Sequence, residues 1–175
     1  MKSVPANDKA GARWLWLSLA VLAADRATKF AIEGYTSPYF RFSVVSDIVM
    51  LVHNQNPGIA FGVFSNSTSP WLAPLLLITS ALVIVVLGWL LVSGRAGGRL
   101  AQAGLALILG GAAGNALDRL IHGGVTDFVE IRLGTFSWPA FNVADSAISI
   151  GAALVVAELV FGGQHRSDSA ERDRG

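Results

Sequence analysis

The stretch from residue 71 to residue 92 contains no ionisable side chain and is long enough to cross a lipid bilayer as a helix. Three further apolar stretches, 14–32, 100–121 and 141–161, reach the roughly 17–25 residues that a membrane-spanning helix needs. Only 14% of the residues are charged and 53% are hydrophobic, whereas about 25% are charged in soluble domains. We therefore predict an all-α membrane protein with four transmembrane helices, folded as a single integral-membrane domain over residues 1–175.

Basic residues are concentrated at one end of these helices. The N-terminal tail, the 93–99 loop and the C-terminal tail hold eight of them, and the loops 33–70 and 122–140 hold two. Lysine and arginine are enriched on the cytoplasmic side of membrane proteins. Both termini are therefore predicted to be cytoplasmic, and the two longer loops are predicted to face outward. The net charge of +1 gives no reason to expect a nucleic-acid partner.

The outward loops contain patterns that are typical of strands and turns. Residues 39–53 are rich in β-branched residues and lead to the turn signal NQNPG, and residues 125–133 alternate in character. These patterns predict a small extracytoplasmic β-sheet on the membrane surface. The apolar run IAFGVF at 59–64 predicts an interfacial loop or helix. The charged tail at 163–175 predicts disorder.

Two carboxylates are predicted to lie at the same depth, near the outer membrane surface. Asp145 is four residues into the last apolar stretch, about 6 Å below that surface at the rise of a helix. Asp127 lies in the outer loop that precedes this stretch. Because an acid at membrane depth costs about 2.5 kcal/mol or more, the polar face that Asp145 shares with Ser146 and Ser149 must meet protein or water.

Neighbouring carboxylates share a proton, so that one acts as a base while the other acts as an acid. Such a pair can activate water, direct it onto an amide carbonyl and protonate the leaving nitrogen. The chain has no cysteine, which excludes a thiolate nucleophile. A serine hydrolase would need a proton relay from His122 to Ser146, and the acid pair is the simpler arrangement. Spacing alone leaves open that Asp127 is a solvated loop residue and that Asp145 is a charge stabilised by the helix dipole.

The first apolar stretch contains a pair of opposite charges. Asp25 and Lys29 are spaced i, i+4, which predicts a salt bridge within one helix. We predict a structural role for this pair, in which Asp25 holds loop backbone or another helix.

The third apolar stretch combines small residues with polar ones. Glycines at 110 and 114 have the GxxxG spacing that lets helices approach closely. Asn115, Asp118 and Arg119 follow at i, i+3, i+4 and share one helix face. For Asp118 we predict a structural polar clamp.

Five blocks along the chain resemble those of the bacterial lipoprotein signal peptidases, the aspartyl type that processes prolipoproteins. They occur in the family's order and extend from the first helix to the last. The blocks are DRATK at 25–29, NPGIAF at 56–61, GNALDR at 114–119, VTDF at 125–128 and FNVAD at 141–145.

The resemblance implies a function and a set of site residues. It implies an aspartic endopeptidase of the inner membrane that uses no metal or organic cofactor, with Asp127 and Asp145 as the catalytic dyad. The substrate would be a prolipoprotein, cut just before its diacylglyceryl-modified cysteine, and membrane lipid and a monomeric state are expected. Four residues would line the substrate groove: Asn56, Asn115, Arg119 and Asn142. Asn54 is an alternative to Asn56, because Pro57 departs from the small or polar residue usual in that block.

Three other functions are compatible with intramembrane acids. A proton-coupled carrier uses such groups as a relay, but the chain has no visible inverted repeat. A non-catalytic assembly subunit would use its polar faces only for packing. A metal site formed by Asp118, Asp127, Glu130 and His122 lacks a recognisable ligand spacing.

Overall fold

The computed structural model describes residues 11–46, 48–57 and 71–172. In that part of the chain, each predicted apolar stretch forms one long helix. The helices are α1 (Leu15–Tyr35), α2 (Leu72–Val92), α3 (Arg99–His122) and α4 (Val143–Arg172).

The last helix differs from the sequence prediction at its C-terminal end. The residues from 163 onward are predicted to be disordered, whereas α4 continues to Arg172. Low hydrophobicity argues against burial in a core but not against a helix, and no proline interrupts this segment. The predicted interfacial run IAFGVF lies outside the described residues.

Four antiparallel strands form one sheet in the order β1-β2-β3-β4. The strands are β1 (Arg41–Val45), β2 (Val49–Asn56), β3 (Val125–Leu133) and β4 (Phe136–Phe141). The predicted small sheet is therefore confirmed, but the sequence does not predict β4. This strand contains Pro139, which lowers strand propensity but is tolerated at a sheet edge.

Three of the four helices, within the described residues, are long and apolar enough to cross a membrane. These candidate spans are Ala73–Val92, Arg99–His122 and Val143–Phe161. The helix α1 differs because its apolar run contains Asp25, Arg26 and Lys29. The helix α3 packs against the other three helices. In α2 many of the apolar side chains point outward, as the 66% exposure of Ile78 illustrates, and this arrangement is typical of a helix that faces lipid.

The strand β2 is longer than predicted, and the extra residues build part of the site. The turn signal NQNPG predicts that the strand ends before Asn54. Instead β2 continues to Asn56 and pairs with β3 through Asn54 opposite Asp127 and Asn56 opposite Val125. Pairing with β3 outweighs the local turn propensity. The extension therefore brings Asn56 close to Asp127.

Glycines let α3 approach α1 and α4 closely. A β-carbon at Gly110 would lie 2.6 Å from the carbonyl oxygen of Ser18, and one at Gly114 would lie 2.5 Å from Oδ2 of Asp25. The predicted GxxxG spacing is therefore a packing contact with α1.

We expect Gly104→Leu to destabilise the protein, because a β-carbon there would lie 2.5 Å from the carbonyl oxygen of Gly151 in α4. The two backbones would have to separate, and overpacking of this kind costs about 1–3 kcal/mol. The thermal unfolding midpoint in detergent should fall. Gly88→Leu in α2 is the matched control, because nothing lies within 4 Å of a β-carbon at that position. Equal midpoints for the two variants would contradict the close crossing of α3 and α4.

Candidate active site

Asp127 lies on β3 and is 2% exposed. Both of its carboxylate oxygens accept hydrogen bonds: Nδ2 of Asn142 donates to Oδ1 at 2.8 Å, and Nδ2 of Asn56 donates to Oδ2 at 3.0 Å. Burial raises the pKa of Asp127 to about 7; the two amide donors oppose this shift and the negative charge of Asp145 adds to it. Asp127 can therefore hold a proton near neutral pH.

Asp145 lies in the first turn of α4, and the start of that helix determines its position. Oδ1 of Asn142 accepts a hydrogen bond from the backbone N–H of Asp145 at 2.9 Å. The backbone N–H of Asn142 donates in return to Oδ2 of Asp145 at 3.3 Å. This reciprocal arrangement is analogous to a capping box and explains the spacing Asn-x-x-Asp. From α3, Nδ2 of Asn115 donates to Oδ1 of Asp145 at 2.9 Å.

The side chain of Asn142 connects the two carboxylates. Its Nδ2 faces Asp127 and its Oδ1 caps the N–H of Asp145. Asn142 is 1% exposed, so these bonds lie in a site largely shielded from water. The structure thus joins Asp127 and Asp145 in one hydrogen-bond network, and their catalytic roles stay a prediction.

The predicted structural charges form a second cluster next to this network. Nζ of Lys29 lies 2.8 Å from Oδ2 of Asp25, as the i, i+4 spacing predicts, and 2.9 Å from Oδ2 of Asp118. The other oxygen of Asp118 pairs with Arg26, and Oδ1 of Asp25 accepts from the backbone N–H of Ala144 at 2.9 Å. Asp25 therefore connects α1 to the first turn of α4, and Asp118 connects α1 to α3. The structural roles of Asp25, Lys29 and Asp118 stay a prediction.

Arg119 and the two candidate asparagines of β2 occupy different surroundings. Arg119 donates from Nη1 to the carbonyl oxygen of Asn115 at 3.2 Å. Asn56 is buried and contacts Asp127, whereas Asn54 is exposed. The geometry therefore favours Asn56 over Asn54 as the asparagine that belongs to the site.

Among the cavities of the described residues that reach the carboxylates, two approach from different directions. One, of about 690 Å³, lies beside the sheet and is lined by Asp127, Asn56 and residues of β1 and β4. The other, of about 330 Å³, lies between α2, α3 and α4 and is lined by Asp145 and by apolar residues such as Leu76 and Val83. An extended chain could therefore approach the dyad from the sheet, and an apolar segment could approach it from between the helices.

The structure does not support either alternative considered from the sequence, the relay from His122 to Ser146 or the metal site that would include Asp127 and Glu130. The hydroxyl of Ser146 donates to the carbonyl oxygen of Asn142 at 3.0 Å. Among the described residues, the group of possible metal ligands within 4.8 Å of one another is Glu33, Asp118 and His122, which leaves out Asp127 and Glu130.

Glu130 instead forms ion pairs on the sheet. Its carboxylate pairs with Arg41 at 2.5 Å and with Arg132 at 2.6 Å. Burial alone would raise the pKa of Glu130, but the hydrogen bonds from Arg132, Arg41 and Ser137 outweigh it and hold the pKa below its usual value. Glu130 is therefore a charged residue of a surface network.

Sequence reasoning missed two connections within the site. It treated Lys29 as structural only, whereas Nζ of Lys29 also donates to Oδ1 of Asn115 at 2.9 Å. It did not identify Thr126, which is fully buried and donates from Oγ1 to Glu33 of α1 at 2.6 Å. Because neighbouring residues of a strand face opposite sides, the position of Thr126 directly before Asp127 was a signal that its hydroxyl would need a partner on the other face of β3.

Long apolar helices around two aspartates, of which Asp127 is buried and both accept hydrogen bonds from asparagine amides, are typical of a membrane-embedded enzyme of the aspartic peptidase class. The family model of signal peptidase (SPase) II matches residues 17–161. The chain belongs to the signal peptidase II family.

Individual relatives agree with this family. A lipoprotein signal peptidase of Solibacter usitatus (strain Ellin6076) is 37% identical over 150 residues, which cover 85% of this chain and 92% of the relative. A lipoprotein signal peptidase of Pseudomonas fluorescens (strain Pf0-1) is 41% identical over 149 residues, which cover 83% of this chain and 86% of the relative. These relatives do not support the alternative of a proton-coupled carrier.

Solved structures of two bacterial membrane enzymes have the same fold. One superposes with a TM-score of 0.75 at 24% identity and covers 85% of this chain and 88% of its own. The other has a TM-score of 0.74 at 23% identity and covers 86% of this chain and 94% of its own.

Proposed function

We propose that the protein removes the signal peptide from diacylglyceryl-modified prolipoproteins and cuts just before the lipidated cysteine. Family membership supports the class of substrate. The observation that carries the catalytic assignment is the side chain of Asn142, which hydrogen-bonds Asp127 and the backbone of Asp145 at once. Asp127 and Asp145 are the catalytic residues of this proposal.

The reaction needs one proton on the dyad and one ionised carboxylate. Asp145, as the base, takes a proton from water while the water oxygen bonds to the scissile carbonyl carbon. The carbon–nitrogen bond then breaks, and the leaving nitrogen receives the proton that Asp127 held. The dyad ends with the proton on Asp145 instead of Asp127, and exchange with solvent restores the starting state. The pKa of Asp127 near 7 supports its role as the acid.

The proposed topology has four membrane crossings, with both termini in the cytoplasm. In addition to the three candidate spans, the first helix, α1, can cross the membrane because its charges have partners inside the protein. Lys29 and Asp25 are both fully buried and paired. The basic residues Arg95 and Arg99 of the α2–α3 connection then lie on the cytoplasmic side. The sheet and the dyad lie at the outer face of the bacterial inner membrane.

The two cavities suggest how a monomer would hold its substrate. The apolar groove between α2, α3 and α4 fits the signal segment, and its lining reaches Asp145. The cavity beside the sheet reaches Asp127 and fits the chain that follows the cleavage site. The acyl chains of the substrate remain in membrane lipid and hold the scissile bond at the depth of the dyad. Asn56 lines the cavity beside the sheet, and Asn115 and Arg119 line the apolar groove. Asn142 is 1% exposed and acts on this path through its hydrogen bonds to the dyad.

A cleavage assay with a lipidated precursor in detergent or vesicles tests the proposal. Because the diacylglyceryl group positions the scissile bond, we expect the unlipidated precursor to be cut at least about tenfold more slowly. Product should be measured by the mass shift of the precursor. Equal rates for the two precursors would contradict the role of the lipid, and an uncut lipidated precursor would contradict the proposed function itself.

A further inference from the structure

Lys29 is the largest fully buried side chain in the described part of the protein. Its ammonium group has three N–H donors and no acceptor. Three oxygens surround it, Oδ2 of Asp25 at 2.8 Å, Oδ2 of Asp118 at 2.9 Å and Oδ1 of Asn115 at 2.9 Å. Two of these contacts neutralise charge, and the third is directed at a residue that hydrogen-bonds Asp145.

The contact with Asn115 determines the orientation of a carboxamide. An asparagine amide can rotate by half a turn, which exchanges its oxygen acceptor with its NH₂ donor. Oδ1 of Asn115 faces two donors, Nζ of Lys29 and Nδ2 of Asn142 at 3.3 Å. A rotated amide would place its NH₂ against these donors and its oxygen against the carboxylate of Asp145. The orientation observed is therefore the one that directs Nδ2 of Asn115 to Asp145.

We propose that Lys29 is a positioning residue for the dyad, which orients the amide of Asn115 toward Asp145 and supplies a buried positive charge that favours the ionised base. Lys29 acts through Asn115 and does not touch the substrate. This inference rests on the proposed peptidase function.

The buried cation should also influence the pH at which the dyad titrates. Burial is the largest cause of the raised pKa of Asp127, and the positive charge of Lys29 is among the interactions that lower it. Removal of that charge should therefore raise the pKa of Asp127 further, and activity should decline only at a higher pH. The charged and titratable groups that act on Lys29 or on the dyad are Asp25 of α1, Asp118 with its partner Arg26, Arg119 of α3, Asp127 of β3 and Asp145 of α4.

Lys29→Met is the test variant, and the assay measures kcat and KM for lipidated precursor as a function of pH. We expect kcat to fall at least about tenfold with KM within about threefold, because the loss concerns a preorganised donor. The alkaline limb of the profile, which reports loss of the proton from Asp127, should move upward by about one pH unit relative to the wild type. Arg26→Met is the matched control. Arg26 also pairs with Asp118, but its second partner is Glu33, whereas Lys29 donates to Asn115. The pH profile of Arg26→Met should match that of the wild type.

A folded Lys29→Met variant with unchanged kcat and pH profile would overturn the inference, as would the same shift in Arg26→Met. Where Lys29→Met does not insert or fold, the double variant Asp25→Asn/Lys29→Met removes both members of one buried pair, and Asp118 keeps Arg26. Its profile should be shifted relative to Asp25→Asn alone, and coincident profiles would overturn the inference. Failure of the wild type to cut the precursor would instead refute the proposed function.

Discussion

Asp127→Asn and Asp145→Asn should each leave a membrane-inserted protein that accumulates uncleaved lipidated precursor. General acid and base groups contribute about 10²–10⁴-fold each, so the rate should fall by at least about 10²-fold in either variant. Asparagine cannot take a proton from water or give one to the leaving nitrogen at neutral pH. It has nearly the shape of aspartate, however, and retains one oxygen that can accept from Asn142 or Asn115, so the fold should persist.

Glu158→Gln is the matched control for both variants. Glu158 is also an acid of α4, but it lies 13 residues beyond Asp145, about 20 Å along the helix. The Glu158→Gln variant should cut the precursor at the wild-type rate, and all three variants should give similar amounts of protein in the membrane fraction. Normal processing by Asp127→Asn or by Asp145→Asn would end the assignment of that residue to the dyad.

The helices could be predicted from the sequence because the membrane imposes a length. A run of about 20 apolar residues has few alternatives to a spanning helix, and the ends of α2 and α3 agree with prediction to within one residue. The predicted depths of Asp127 and Asp145 follow from the same lengths. The sequence alone therefore predicts that these two acids lie close together.

The surroundings could not be predicted, because they depend on contacts between distant elements. The extension of β2 to Asn56 results from pairing with β3, and local turn propensity indicates the opposite. The bond from Lys29 to Asn115 joins residues 86 positions apart. Spacing along one helix reveals the pair of Lys29 with Asp25, but it cannot reveal which group on α3 takes the remaining donor.

Asn142→Ala is expected to have the second largest effect, with a loss of about 10²–10³-fold in cleavage rate, similar to the loss of one preorganised donor in other active sites. The substitution removes the donor to Oδ1 of Asp127 and the cap on the N–H of Asp145. Loss of the cap also costs about 1 kcal/mol of stability. Cleavage of lipidated precursor and the thermal unfolding midpoint in detergent should both be measured, because the two losses have different causes.

Asn142→Ser separates the two roles of this side chain. Serine is also a good residue at the start of a helix, so the cap on the N–H of Asp145 should be kept and the midpoint should stay close to that of the wild type. The carboxamide of Asn142 contacts both the N–H of Asp145, through Oδ1, and Oδ1 of Asp127, through Nδ2 at 2.8 Å. The shorter serine hydroxyl cannot reach both groups. Cleavage by Asn142→Ser should therefore be nearly as slow as cleavage by Asn142→Ala despite its higher stability. Wild-type cleavage by the serine variant would mean that Asn142 acts only as a helix cap, and that the two aspartates do not depend on it as a bridge.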